Sequence, residues 1–103
     1  MRRRVVITGA GVVSPLGAGA EVFWDALAAS RSGVDVLEVE AVGAIPAFVA
    51  AGEDARERFG QRDARRMDRS GRLAAVAAAL ALEDAGDQDA PAERVGVSIG
   101  SVH

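Results

Sequence analysis

A short apolar segment that leads directly into a glycine pair narrows the possible folds more than any other feature of this sequence. Residues 4–8 are mostly β-branched and show no polar alternation, which is typical of a strand buried on both faces of a parallel sheet. Gly9 and Gly11 then begin a glycine-rich loop that runs to Gly19. This arrangement is typical of α/β proteins, in which such a loop either cradles a phosphate or simply redirects the chain.

The loop differs from dinucleotide-binding turns at the positions that matter for phosphate binding. Those turns require G-x-G-x-x-G directly between a strand and a helix. Here Ser14 stands at the third glycine position, and it is followed by Pro15, which has no N–H to donate to a phosphate. The sequence therefore favours an architectural loop, in which Gly9 and Gly11 let the backbone turn sharply after the strand. A nucleotide-binding oxidoreductase stays open as an alternative.

Periodicity along the rest of the chain predicts further helices and strands. Apolar residues at helical spacing predict a first helix over residues 21–30, which Ser32 and Gly33 are expected to end. A long helix is predicted from Arg62 to a C-terminal Gly86, and its alanine-rich second half should be buried. The shorter predicted elements are a strand over residues 36–39, an edge strand over 47–51, a loop or single turn over 53–60, and a parallel-type strand over 95–99. This order of elements predicts an α/β fold.

Composition excludes several kinds of chemistry from these 103 residues. The chain contains no cysteine, and all twelve basic residues are arginine, so thiolate metal sites, cysteine nucleophiles, disulfides and lysine Schiff bases are excluded. No metal or other cofactor is expected. A net charge of −3 does not indicate nucleic acid or an anionic membrane as a partner.

The sequence predicts neither a membrane span nor a secreted protein. Its longest apolar run covers residues 73–82, which is well short of the roughly 18 residues that a bilayer helix needs. Three N-terminal arginines and the "AGA" at residues 18–20 resemble parts of a signal peptide. Glycines, Ser14 and Pro15 interrupt the apolar region between them, so a cytoplasmic location is expected.

Four motifs occur in the order and at the spacing of a known family. They are "VVITGAGVVSPLG" at residues 5–17, the tryptophan helix and turn "FWDALAASRSGV", "RRMD" at residues 65–68 before an alanine-rich helix ending in "AG", and "RVGVSIGS" at residues 94–101. Together they resemble the N-terminus of the β-ketoacyl-acyl-carrier-protein synthases of the condensing-enzyme (thiolase-fold) superfamily. The type II elongating synthases and polyketide ketosynthases are the most similar members. The resemblance implies that residues 1–103 are an incomplete N-terminal segment of a thiolase-like αβαβα layered fold, truncated just after a core strand.

The resemblance also implies a reaction that this chain alone should not perform. Family members catalyse a decarboxylative Claisen condensation of malonyl-carrier with an acyl thioester in fatty acid or polyketide biosynthesis. They use a cysteine nucleophile and two histidines, and the full-length protein is expected to be a homodimer or heterodimer. This chain has no cysteine, and its single histidine, His103, matches neither catalytic-histidine motif, so no catalytic residue is assigned. A polyketide chain-length factor, which lacks the nucleophile, stays open as a non-catalytic alternative.

A cluster of arginines is the candidate functional surface. Its members are Arg62, Arg65, Arg66, Arg69 and Arg72. The first four recur at i, i+3, i+4 and i+7 and should share one face of the predicted long helix. In related synthases, basic side chains at and just before the "RRMD" motif dock the acidic acyl carrier protein, so the resemblance makes Arg62, Arg65 and Arg66 the docking candidates. The alternative is a solvated face of mixed charge that includes Asp63, with Asp68 pairing locally or capping the helix.

Overall fold

A computed structural model of the chain describes residues 1–50 and 54–102. Its regular elements are short hairpins and helices. The elements in chain order are β1 (Val13–Ser14), β2 (Gly17–Ala18), α1 (Ala20–Ala28), β3 (Asp35–Val39), β4 (Gly43–Ala47), α2 (Ala55–Phe59), α3 (Gln61–Arg66), α4 (Arg69–Ala85) and a 3₁₀ turn at Ala92–Arg94. The strands pair as two separate antiparallel hairpins, β1 with β2 and β3 with β4. This mixed helix and strand content fits the predicted α/β class. Within the described ranges, no helix has the length and apolar character needed to cross a bilayer.

The two strands predicted near the ends of the chain do not form. Residues 4–8 and 95–99 have no strand partner among the described residues. Val5, Ile7 and Val97 are 93%, 92% and 85% exposed, so their side chains lack the burial that the sequence predicted. A buried strand needs neighbouring strands to bind its N–H and C=O groups, and the described elements supply none. The prediction of two buried parallel strands is therefore wrong for this chain.

The first helix forms where it was predicted, but it ends by a different device. α1 covers Ala20–Ala28, and its end is closed by hydrogen bonds from Ser30 N–H to Leu27 O (3.0 Å) and from Arg31 N–H to Ala26 O (2.9 Å). Ser30 takes the left-handed conformation, with φ of 53°, that the sequence assigned to Gly33. Gly33 instead allows close packing, because a β-carbon there would lie 2.7 Å from Pro15 Cβ.

The predicted strands between the helices are partly correct. The strand over residues 36–39 is confirmed as β3, which starts one residue earlier. The predicted edge strand over residues 47–51 is displaced, because the partner of β3 is β4 at Gly43–Ala47. Ala51 and Glu53 lie outside the described residues. The charged stretch predicted as a loop or single turn contains helix α2.

The predicted long helix is interrupted after its first turns. α3 ends at Arg66, Met67 is extended with φ of −98° and ψ of 138°, and α4 begins at Arg69. The Asp68 side chain accepts a hydrogen bond from Gly71 N–H at 2.7 Å, which confirms its predicted role as a helix cap. α4 ends at Gly86, with φ of 76°, as predicted.

A small core joins α2, α3 and α4. Ala55, Ala64 and Val76 form a buried cluster, and Val76, at 0% exposure, is the largest fully buried side chain of the described chain. Two of the three residues are alanines, which let the helix backbones approach closely. The second half of α4 is less buried than its composition predicted, because Ala78 is exposed and Leu82 is 61% exposed. The core therefore fixes the three helices through one narrow stripe of α4.

Exposed apolar surface leads us to expect that the isolated chain associates or only partly folds. The Cα radius of gyration is 16.7 Å, whereas a compact domain of about 100 residues has one of about 13 Å. Apolar side chains at residues 5–7 and 95–99 lie against solvent, and such surfaces promote association. Sedimentation velocity should detect oligomers, and calorimetry should give a broad transition. A sharp cooperative melt of a monomer would contradict this expectation.

Candidate functional site

The glycine pair packs against α4 instead of forming a turn. A β-carbon at Gly11 would lie 2.5 Å from Ala81 N, and one at Gly9 would lie 2.6 Å from Ala85 N. Neither Gly9 nor Gly11 has a positive φ, whereas Gly17 and Gly19, later in the same loop, have φ of 125° and 101°. The prediction that Gly9 and Gly11 serve a sharp turn is therefore wrong. They are small because the loop backbone lies directly on the α4 backbone.

The surroundings of the loop are unsuited to a phosphate. The Ala10 N–H, which a phosphate would need as a donor, already binds the Asp84 carboxylate, with an N···O distance of 2.9 Å. A neighbouring pocket of about 300 Å³ is lined by Glu21, Glu83 and Asp84, whose negative charge would repel a phosphate. The geometry therefore gives the nucleotide-binding alternative no support.

Three of the five clustered arginines form one exposed surface. Arg62, Arg65 and Arg66 lie on α3 at i, i+3 and i+4, and all three are exposed. Ala64, which points to the opposite side of α3, is 1% exposed and belongs to the core. None of the three arginines forms an ion pair or a side-chain hydrogen bond with the described residues. We call these three residues the α3 arginine surface.

The other two arginines of the cluster contribute to structure instead. Arg69 Nη2 donates a hydrogen bond to Ala50 O at 2.7 Å. Arg72 Nε donates to Ala64 O at 3.0 Å and to Met67 O at 3.2 Å, which binds the end of α3 to α4. Because the helix is interrupted at Met67, Arg69 does not continue the helical face of the α3 arginines. The prediction that Arg69 shares one helix face with Arg62, Arg65 and Arg66 is therefore wrong.

Helix stability accounts for only part of the α3 arginine surface. Arg65 and Arg66 lie in the last turn of α3, where a cation interacts favourably with the helix dipole. Arg62 lies in the first turn, where a cation is unfavourable. The local helix therefore does not explain why a third arginine is placed on the same face.

Arg58 was missed by sequence reasoning and has a structural role. Its Nε donates to Asp54 Oδ1 at 2.9 Å, and its Nη1 donates to Glu83 on α4. The hydrogen bond with Glu83 raises the pKa of Arg58, desolvation opposes this, and Asp54 raises the pKa further. Only the i, i+4 spacing of Asp54 and Arg58 is visible in the sequence, because the contact with Glu83 depends on the tertiary fold. The charge of Arg58 is thus used to tie α2 to α4.

Cysteine and metal-ion chemistry find no support in the described part of the chain. The sequence contains no cysteine, and His103 lies outside the described residues. Among residues 1–50 and 54–102, no group of three or more His, Asp or Glu side chains could hold a metal ion. The candidate functional site is the α3 arginine surface.

Comparisons with known proteins agree on one family. The family model for the N-terminal domain of β-ketoacyl synthases matches residues 2–103. The tetracenomycin polyketide synthase ketoacyl synthase alpha subunit of Streptomyces glaucescens is 39% identical, over 96% of this chain and 24% of its own length. The 3-oxoacyl-[acyl-carrier-protein] synthase 2 of Vibrio cholerae is 37% identical, over 97% of this chain and 25% of its own length. No solved structure matches the chain significantly.

These matches cover nearly all of the chain, and the chain spans about a quarter of the length of these relatives. The four segments that carry the sequence resemblance, at residues 5–17, 23–34, 65–68 and 94–101, all lie within the range that the family model matches. Because the model of the family's N-terminal domain matches residues 2–103, the chain belongs to the β-ketoacyl synthase family.

Proposed function

We propose that this chain is the N-terminal segment of a β-ketoacyl-[acyl-carrier-protein] synthase of fatty acid or polyketide biosynthesis. Family membership over residues 2–103 and the names of the relatives support this proposal. The whole protein would adopt the thiolase-like αβαβα layered fold, with residues 1–103 as an incomplete part of its N-terminal domain. It would work in the cytoplasm as a homodimer or heterodimer.

The reaction of the whole protein would need groups that these residues do not supply. A cysteine thiolate would take the acyl chain from its carrier, which releases the carrier thiol. Malonyl-carrier would then lose CO₂, and the resulting carbanion would attack the acyl thioester, forming a C–C bond and releasing the cysteine. Two histidines would stabilise the negative charge that develops. The 103-residue chain contains no cysteine, so we propose that it is inactive by itself.

The function that we assign to these residues is docking of the acyl carrier protein. The observation that carries it is the α3 arginine surface: three exposed guanidinium groups on one helix face, with the opposite face fixed in the core. Arg62, Arg65 and Arg66 would contact acidic side chains of the carrier. Complementary charges of this kind accelerate association and fix the orientation of the partners.

Charge reversal tests this assignment. Arg62→Glu, Arg65→Glu and Arg66→Glu combined should weaken binding of acyl carrier protein by roughly 10- to 100-fold, because three favourable charge pairs become repulsive. Isothermal titration calorimetry of the chain fused to a large soluble protein, at several salt concentrations, would measure both the affinity and its salt dependence. In the wild-type chain, added salt should weaken binding.

The control uses the same change in charge at another place. Arg2, Arg3 and Arg4 are also exposed, and their combined replacement by glutamate changes the net charge equally. This control variant should lose little affinity, because its charges lie outside the docking surface. If both triple variants lost affinity equally, the effect would be one of net charge, and the docking assignment would be rejected.

A further inference from the structure

We propose that Asp68 is a positioning residue for carrier docking, which acts by fixing the break between α3 and α4. This inference rests on the proposed docking function of the α3 arginine surface. Asp68 touches no part of that surface by a hydrogen bond; its carboxylate accepts the Gly71 N–H at 2.7 Å and so defines where α4 begins. Its effect on docking would pass entirely through the orientation of α3.

The break between the helices is held from both sides. On one side, Asp68 caps the first turn of α4. On the other side, Arg72 Nε donates to Ala64 O in the last turn of α3 and to Met67 O in the linker that follows it. Ala64 O also accepts the Met67 N–H at 3.3 Å, so the guanidinium adds a second, side-chain donor at a helix end where carbonyls lose their regular partners. The junction is therefore a defined structure that α4 side chains hold in place.

The geometry of a helix explains why this break matters for the arginines. Ala64 and Val76 both lie in the core beside Ala55. In one continuous helix, residues 12 positions apart lie about 18 Å apart along the axis and point about 120° away from each other, so they would not meet in one small core. The break allows both to be buried. Because Arg62, Arg65 and Arg66 lie opposite Ala64, the same break directs them towards solvent.

Two substitutions at Asp68 separate positioning from charge. Asp68→Ala and Asp68→Asn remove the same negative charge, but only asparagine retains a side-chain oxygen that can cap α4. If charge alone mattered, both variants would bind an acidic carrier more tightly than wild type. If Asp68 positions the arginines, Asp68→Ala should bind roughly two- to fivefold more weakly, while Asp68→Asn should bind at least as tightly as wild type.

A distance measurement tests the positioning without the carrier. Because the chain contains no cysteine, Gln61→Cys on α3 and Ala78→Cys on α4, both at exposed positions, would attach spin labels at two defined sites. With the chain fused to a large soluble protein that contains no cysteine, double electron–electron resonance should give one narrow distance distribution when position 68 is Asp, as in the wild type, or Asn. In Asp68→Ala the distribution should broaden or shift, because the uncapped junction can adopt other orientations.

The outcomes distinguish this inference from the docking function itself. A broadened distance together with weaker carrier binding in Asp68→Ala, but not in Asp68→Asn, supports the inference. If wild type binds carrier through the α3 arginines and Asp68→Ala binds as tightly as Asp68→Asn, the inference is wrong while docking stands. An unchanged distance in Asp68→Ala also overturns it. If wild type does not bind acyl carrier protein, the docking function is wrong, and the inference is overturned with it.

Discussion

Replacing Gly11 by alanine should separate the glycine loop from α4 and destabilise the chain by about 3 kcal/mol, at the upper end of the cost of overpacking. The new β-carbon would lie 2.5 Å from Ala81 N and closer still to Ala77 O. Both atoms belong to the helix backbone, so neither can rotate away as the end of a flexible side chain could. The loop or the helix must therefore move, and the packing between them is lost.

Hydrogen exchange of the α4 amides would measure this effect. A loss of about 3 kcal/mol corresponds to roughly 100-fold faster exchange of the protected amides. The measurement is best made on the chain fused to a large soluble protein, because the isolated chain is expected to associate. Gly9→Ala should behave in the same way, since its β-carbon would lie 2.6 Å from Ala85 N.

Gly100→Ala is the matched control for this substitution. Nothing lies within 4 Å of a β-carbon at Gly100, and its φ is not positive, so this variant should exchange like wild type. If Gly11→Ala also left the exchange of α4 unchanged, the close packing of the loop on α4 would be refuted. The glycine pair would then need another explanation, and the turn that the sequence suggested would be considered again.

Local signals predicted some of the helix ends, because those ends depend on neighbouring residues. Apolar spacing gave most of α1, Gly86 gave the end of α4, and Asp68 was expected to pair locally or to cap a helix. Each of these features acts within one or two helical turns. The sequence nevertheless placed Asp68 inside one long helix, whereas it caps the start of α4. An aspartate within a strong helical pattern can lie inside a helix or begin a new one, and the pattern does not separate the two cases.

Features that depend on distant partners could not be predicted from the sequence. Residues 4–8 and 95–99 have the composition of buried strands, but a strand forms only where neighbouring strands supply hydrogen bonds. The small size of Gly9 and Gly11 was visible, yet only the position of α4 shows that they serve close packing. In each case the residue type was informative, and its purpose depended on tertiary contacts.

For the arginine cluster, the sequence predicted part of the exposed surface but not which of the arginines bind backbone carbonyls. Spacing and resemblance selected Arg62, Arg65 and Arg66, and the structure places them on one exposed face. The sequence also grouped Arg69 and Arg72 with them, because it did not predict that their guanidinium groups bind backbone carbonyls. Arginine can serve as a surface charge or as a helix-end donor, and the spacing alone does not separate the two roles.

Replacing Val76 by aspartate should disrupt the packing of α2, α3 and α4 and abolish carrier docking. Val76 is 0% exposed and packs with Ala55 and Ala64, so the carboxylate would be buried without a partner. An uncompensated buried charge costs about 3–5 kcal/mol, which a core of this size cannot absorb. Far-UV circular dichroism should show lost helix, and calorimetry should show no measurable binding of acyl carrier protein.

Leu82→Asp separates this effect from that of the added charge. Leu82 lies on the same helix and is 61% exposed, so the same aspartate remains hydrated there. Both variants change the net charge equally, and both place the same residue type in α4. Leu82→Asp should therefore keep its helix content and bind carrier with nearly wild-type affinity. A loss of binding in Val76→Asp but not in Leu82→Asp would come from the disrupted packing of α2, α3 and α4 and not from the added charge. If Val76→Asp also retained binding, the α3 arginines would not depend on this core for their orientation.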